Sequence, residues 1–196
     1  MLLRWMMLVA LSLLVSFPSW SADFGKGLAA YERGDYVTAL REWRPLAEQG
    51  HAKAQFNLGV MYADGEGIQQ DYGQAAQWYR RAAEQGDADA QTNLGWMYGA
   101  GRGVPQNYGQ AVEWYRLAAD QGYAMAQYNL GVMYGNGRGV VQNYVTAHMW
   151  GNIARANGND IADELLDDLE QLMRKDQIAR AQQRASDCMA NQYKNC

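Results

Sequence analysis

The feature that most limits what this chain can become is a self-similarity with a period of 36 residues. His51 to Gly86, Asp87 to Gly122 and Tyr123 to Gly158 align without a gap, the first two blocks agreeing at 22 of 36 positions and the second and third at 20. A period of this size with no strand-like alternation marks stacked helical hairpins, in which each unit buries its apolar face only against its neighbours. The chain is therefore expected to be all-α.

Each block reads as two helices. In helix A of the first, Ala54, Leu58, Met61 and Tyr62 share one stripe at amphipathic spacing. Helix B starts near Tyr72 and carries Ala75, Ala76, Trp78, Tyr79, Ala82 and Ala83. Between them stands Gly65-Glu66-Gly67, repeated as Gly101-Arg102-Gly103 and Gly137-Arg138-Gly139, where glycine permits the positive φ of a tight reversal. A glycine also sits inside each helix A, at Gly59, Gly95 and Gly131, where it costs about 1 kcal/mol relative to alanine. Close approach to Ala75, Ala111 and Ala147 offsets that cost, with tryptophan and tyrosine rings filling the flanks. Truncating a buried Trp78 or Trp114 is then expected to cost about 3 to 5 kcal/mol.

The pattern Ala-x-x-x-Leu-Gly-x-x-Tyr, Gly-x-Gly, Tyr-x-x-Ala-x-x-Trp-Tyr-x-x-Ala-Ala-x-x-Gly resembles the Sel-one-like repeat (SLR), a relative of the tetratricopeptide repeat (TPR). The resemblance covers residues 51–158. It implies a right-handed α-solenoid and a non-enzymatic scaffold for protein–protein interaction. The third block departs from the pattern, with Gly151 where Tyr79 and Tyr115 stand, as a boundary repeat does. The expected organisation is a leader at 1–21, a TPR-like capping hairpin at 22–50, repeats at 51–86, 87–122 and 123–158, and capping helices with a tail at 159–196. In the last segment Ile161, Leu165, Leu169 and Leu172 share one helical face, and a second helix from Asp176 carries Ile178, Ala185 and Met189.

Arg4 followed by the apolar run Trp5 to Val15, then Phe17-Pro18 and small residues, is the layout of a secretory signal peptide. The expected cut lies between Ser21 and Ala22 and leaves a mature chain of net charge −5, since only Arg4 is lost from the full chain's −4. The location expected is periplasmic or secreted, with no stable membrane insertion after processing. An acidic balance without a basic run argues against nucleic-acid binding.

Two histidines and two cysteines leave little for a metal centre or a nucleophile system, and no catalytic residue, metal ligand or cofactor is expected. Cys188 and Cys196 are the only thiols, and export would let them form a disulfide that ties the tail to the last helix. His51 reads as a surface residue and His148 as a packed imidazole, while Asp163, Glu164, Asp167 and Asp168 read as a solvated cap.

The positions that vary while the frame stays fixed are the candidate contacts. These are Phe56, Thr92 and Tyr128, then Val60, Trp96 and Val132 one turn on, bordered by Asn57, Asn93 and Asn129. In a curved stack the A helices line the concave side, where such a strip suits a protein or peptide segment; packing between repeats is the other use of the same side chains. The alternatives in function are binding of cell-wall glycan by ring stacking on Trp96 and Tyr128, and β-lactam binding with hydrolase activity. One secreted branch of the resembled family is described with the latter, but its repeats each carry a cysteine pair that these lack. Amino-terminal sequencing of the exported form should begin at Ala22; an intact Met1 on a soluble cytoplasmic product would refute the leader.

Overall fold

The computed structural model describes residues 22–194 and 196, so the leader expected over 1–21 lies outside the described residues. Among these there are ten α-helices and no strand: α1 (Phe24–Glu32), α2 (Tyr36–Glu48), α3 (Ala52–Asp64), α4 (Tyr72–Glu84), α5 (Ala88–Ala100), α6 (Tyr108–Ala119), α7 (Ala124–Asn136), α8 (Tyr144–Ala156), α9 (Ala162–Glu170) and α10 (Lys175–Ala190). The odd-numbered helices α1 to α7 are the A helices and the even-numbered α2 to α8 their B partners. Each packs on the helix before it and the helix after it, and both α9 and α10 close on α8. A chain whose contacts are confined to successive elements in this way is a solenoid.

Local sequence sets the helix ends. Asp71, Asp87, Asn107 and Asn143 each accept from the backbone N–H three residues on, satisfying one of the orphan donors of a helix start. His51 does the same work with an imidazole, its Nδ1 accepting from the Ala54 N–H at 3.2 Å while its ring stacks on Phe24. It is exposed, as expected, but it is a cap rather than idle surface.

The two glycines of each Gly-x-Gly turn have different duties. Gly65, Gly101 and Gly137 end helix A in the left-handed conformation, with φ of 76°, 68° and 65°. The second glycine serves the joint between hairpins. A Cβ on Gly103 would collide with the carbonyl oxygen of Tyr72, and one on Gly139 with that of Tyr108, in each case the first residue of the preceding helix B. The obstacle is backbone, which has no rotamer to yield.

A buried glutamine forms the second joint. Gln55, Gln91 and Gln127 donate Nε2 to the carbonyls of Ala47, Ala83 and Ala119 at 2.9, 3.0 and 3.1 Å, each at the end of the preceding helix B. Their Oε1 atoms accept from Gln85, Gln121 and Asn157 at 2.7, 2.8 and 2.8 Å. Both ends of each amide are thereby satisfied inside the protein, as burial requires.

The glycines within helix A face aromatic rings more than alanines. A Cβ on Gly59 would meet the Tyr79 ring at 2.6 Å, and one on Gly95 the Tyr115 ring at 2.8 Å. Tyr79 and Tyr115 are the buried aromatics of helix B, whereas Trp78 and Trp114 are half-buried, with the Arg81 guanidinium 4.5 Å from the Trp78 ring. The expectation that Trp78 and Trp114 supply the core is thus corrected: one position of rotation along α4 and α6 puts the tyrosine inside. Of the three tryptophans at this register only Trp150 is buried, in one cluster with Ala185 and Cys188 of α10.

Gly151 explains the end of the array. Where a tyrosine stands in the other repeats, a Cβ here would meet Leu166 of α9 at 2.9 Å, and Leu165 takes the place of the ring against Gly131. The cap helix α9 enters the slot that a tyrosine fills elsewhere. The buried residues of this segment are Ala162, Leu166, Leu169 and Met173, while Ile161 and Leu172, expected on the apolar stripe, are 51% and 62% exposed. The helix spans only Ala162–Glu170, so both of those residues fall beyond its ends.

The tail folds back. Cys188 and Cys196 stand as a disulfide pair with Cα atoms 5.3 Å apart. Gln192 and Tyr193 take positive φ, and Tyr193 places its ring against Gly122 and donates its hydroxyl to Asn157 Oδ1 at 2.9 Å.

Gly103→Ala should lower stability by more than Gly86→Ala, even though both replace a glycine of positive φ. Gly86, at φ 91°, has open space where the new methyl group would stand, with nothing within 4 Å, so its substitution carries only the backbone strain of about 1 to 3 kcal/mol. Circular-dichroism melts of the two variants decide the matter, and equal midpoints would refute a backbone contact at the hairpin joint.

Candidate functional site

The A helices α3 and α5 bring part of the expected strip together as two adjoining clefts. One, of about 180 Å³, is walled by Leu28, Tyr31, Trp43, Phe56, Asn57 and Val60. The other, of about 360 Å³, shares Val60 and is lined by Asp64, Tyr72, Tyr79, Asn93, Trp96 and Arg102 among others. Trp96 is 46% exposed, an unusual condition for so large an apolar ring on a helix otherwise rich in buried residues.

The strip residues do not all behave alike. Phe56 leans on Tyr79, with ring centroids 5.8 Å apart and Lys53 Nζ 5.9 Å from its own centroid. Thr92 is buried, and its hydroxyl donates to the Ala88 carbonyl at 2.8 Å. It offers no free group to a partner, which corrects its place among the contact residues: a β-branched hydroxyl inside a helix bonds back to the preceding turn. Tyr128, Asn129 and Val132 on α7 are half-buried and line neither of the two clefts.

Charge is distributed unevenly along this face. Arg102 stacks between two rings, its guanidinium carbon 5.3 Å from Tyr72 and 5.2 Å from Trp96, and donates to Tyr72 Oη at 3.1 Å. Arg138 lies over Tyr108 in the same way, at 5.6 Å. In the first repeat the corresponding residue is Glu66, which accepts from the Tyr31 hydroxyl at 2.5 Å. Burial first, and then this hydrogen bond, hold the Tyr31 hydroxyl protonated far above the usual tyrosine range. Burial and the neighbouring Glu66 charge raise the Asp64 carboxyl above its ordinary value. Burial raises Tyr79 too, with the Asp64 charge adding to it.

Sequence reasoning passed over Asp64, Tyr72, Arg102 and the pocket residues Leu28, Tyr31 and Trp43. A signal for two of these positions was available in the register: Asp64 aligns with Ala100 and Asn136, and Glu66 with Arg102 and Arg138.

The histidine and acidic cluster singled out near the carboxy terminus line neither cleft. His148 is fully buried, its Nε2 3.0 Å from Glu170 Oε1 and its Nδ1 2.7 Å from the Asn152 amide, and so links α8 to α9. Asp163 meets Arg155 at 3.4 Å. Among the described residues no group of three or more His, Cys, Asp or Glu is placed to hold a metal ion, and no helix is long and apolar enough to cross a membrane.

Known proteins share this geometry. The family model of the Sel1 repeat matches residues 52–87, 88–123 and 124–159, each one residue past the start of a block. The solved structure of a Sel1 repeat protein from Oxalobacter formigenes is similar with a TM-score of 0.72 and 29% identity, covering 85% of this chain and 75% of that one. A protective antigen of uropathogenic Escherichia coli displaying an SLR fold is similar with a TM-score of 0.61 and 26% identity, over 87% of this chain and 46% of that one. Among curated proteins, an exopolysaccharide production negative regulator of Rhizobium leguminosarum bv. viciae is 42% identical over 48 residues, 24% of this chain. The chain spans 18% of that relative's length. With three successive units in register over more than half of its length, the chain belongs to the Sel1 repeat family.

Proposed function

We propose that this protein is an exported, non-enzymatic scaffold of the bacterial envelope that holds a protein or peptide segment along its A-helix face, the concave side of a bent stack. The observation that carries the reading is Trp96, 46% exposed above a cleft that continues through Val60 into the apolar pocket of Trp43 and Phe56. Large rings of this kind supply most of the energy at interfaces while costing little conformational entropy. Sel1 repeats suggest an interaction scaffold, and the relative matched over one short stretch is named a negative regulator of exopolysaccharide production.

The experiment is periplasmic cross-linking with the chain beginning at Ala22, compared with Trp96→Ala alone and with Trp96→Ala combined with Tyr128→Ala. Trp96→Ala should lower the melting midpoint only modestly and leave the fold intact, because the ring is 46% exposed and gives up the Arg102 stacking and part of its apolar contact. Capture of the specific partner should fall about thirtyfold, the effect of losing a hot-spot residue. Equal capture by folded variants would move binding away from this face, and hydrolysis of a chromogenic cephalosporin above background would overturn the non-enzymatic reading.

A further inference from the structure

The Gly-x-Gly turns differ along the array in the sign of their charge, with Glu66 where Arg102 and Arg138 stand. In the second and third repeats the helix B ring of the preceding unit faces a guanidinium, Tyr72 with Arg102 and Tyr108 with Arg138. In the first repeat the same turn supplies Glu66, and the rings beside it, Tyr31 and Tyr36, both feel its negative charge. Asp64 adds a second carboxylate two residues earlier, at the last position of α3, where the helix dipole disfavours an acid. The A helices of the second and third repeats end there in Ala100 and Asn136. None of the ion pairs among the described residues involves Asp64 or Glu66. Arg102, which lines the same cleft, is engaged by Tyr72 and Trp96 instead.

Asp64 thus lines the cleft of Tyr79 and Trp96, and Glu66 lies against Tyr31 of the adjoining pocket, with neither carboxylate in an ion pair among the described residues. An aromatic wall beside a carboxylate suits a long basic side chain, whose stem packs on rings and whose head meets the acid. We infer that the segment bound on this face presents a lysine or arginine whose head group enters the cleft between Tyr79 and Trp96 to pair with Asp64, Glu66 reinforcing the attraction, while a neighbouring apolar side chain of the same segment fills the pocket of Leu28, Trp43 and Phe56. This inference rests on the reading of the A-helix face as the binding surface and adds the chemistry of the partner.

The test is selection from a phage-displayed library of random heptapeptides on the folded chain beginning at Ala22, with parallel selections on Asp64→Asn, Asp64→Lys and Trp96→Ala. Peptides captured by the unaltered protein and lost on Trp96→Ala should be enriched in lysine or arginine next to an apolar residue. Replacing that basic residue by norleucine in a synthetic copy should weaken binding about tenfold or more on the unaltered protein and clearly less on Asp64→Asn, where only Glu66 and the rings still favour the charge, and Asp64→Lys should select acidic residues at that place. Asp64 is exposed, so these variants retain the fold, and a melt checks it. Trp96-dependent peptides with no basic enrichment would overturn the inference while leaving the binding face standing. Absence of any Trp96-dependent peptide would overturn both.

Discussion

One buried amide per repeat holds the array together. Gln91 reaches back to the Ala83 carbonyl and is met by the Gln121 amide, and the same exchange recurs at Gln55 and Gln127. The amide of each of these glutamines is buried, and leaving such a group without partners costs about 1 to 3 kcal/mol. Its partners lie where three helices converge: the A helix that bears it, the B helix whose end carbonyl, already bonded to the N–H of the turn glycine three residues on, accepts its amide as a second donor, and the amide just past the next B helix that completes it. The register between hairpins is consequently fixed by hydrogen-bond geometry, while the alanine and tyrosine contacts around it supply apolar burial without direction. The Gly103 and Gly139 contacts add a steric stop at the other end of the same joint.

Much of this was legible in the sequence because the repeat displays its own constraints. Positions that recur three times, such as Leu58, Leu94 and Leu130 or the turn glycines, had to be core or backbone features, and they are. What could not be read was orientation at the scale of a single residue. Adjacent Trp78 and Tyr79 recur together in the second repeat, so recurrence alone could not say which one points inward. The carbonyl behind Gly103 belongs to another hairpin, and a contact between hairpins leaves no local pattern. The bounds of α9 escaped for a related reason: a short helix at the end of an array is placed by what it docks into, here the space opened by Gly151, rather than by its own periodicity.

The proposed binding face was legible in outline only. Variation within a fixed frame pointed to Trp96 and Phe56, and both border clefts. The same criterion also gathered Thr92, whose side chain turns back onto its own helix, because variability does not separate a residue that meets solvent from one that meets the next repeat. The residues that it omitted, Asp64 and Glu66, vary in charge rather than in apolar bulk and sit at a helix end and in a turn. A search confined to helical faces does not reach them.

The substitution of tyrosine by Gly151 also determines how long such a molecule is. An internal unit presents a ring to its own glycine and thereby leaves its outer side ready to receive another like itself. The final unit leaves a notch, and Leu165 and Leu166 occupy it. Copying an internal block within the chain therefore lengthens the rod, whereas a block appended beyond Gly151 meets a socket already filled. The terminus of the array is encoded by a missing side chain, so a single point change toward a bulky residue there would evict the closing helix and expose a surface made for continued growth.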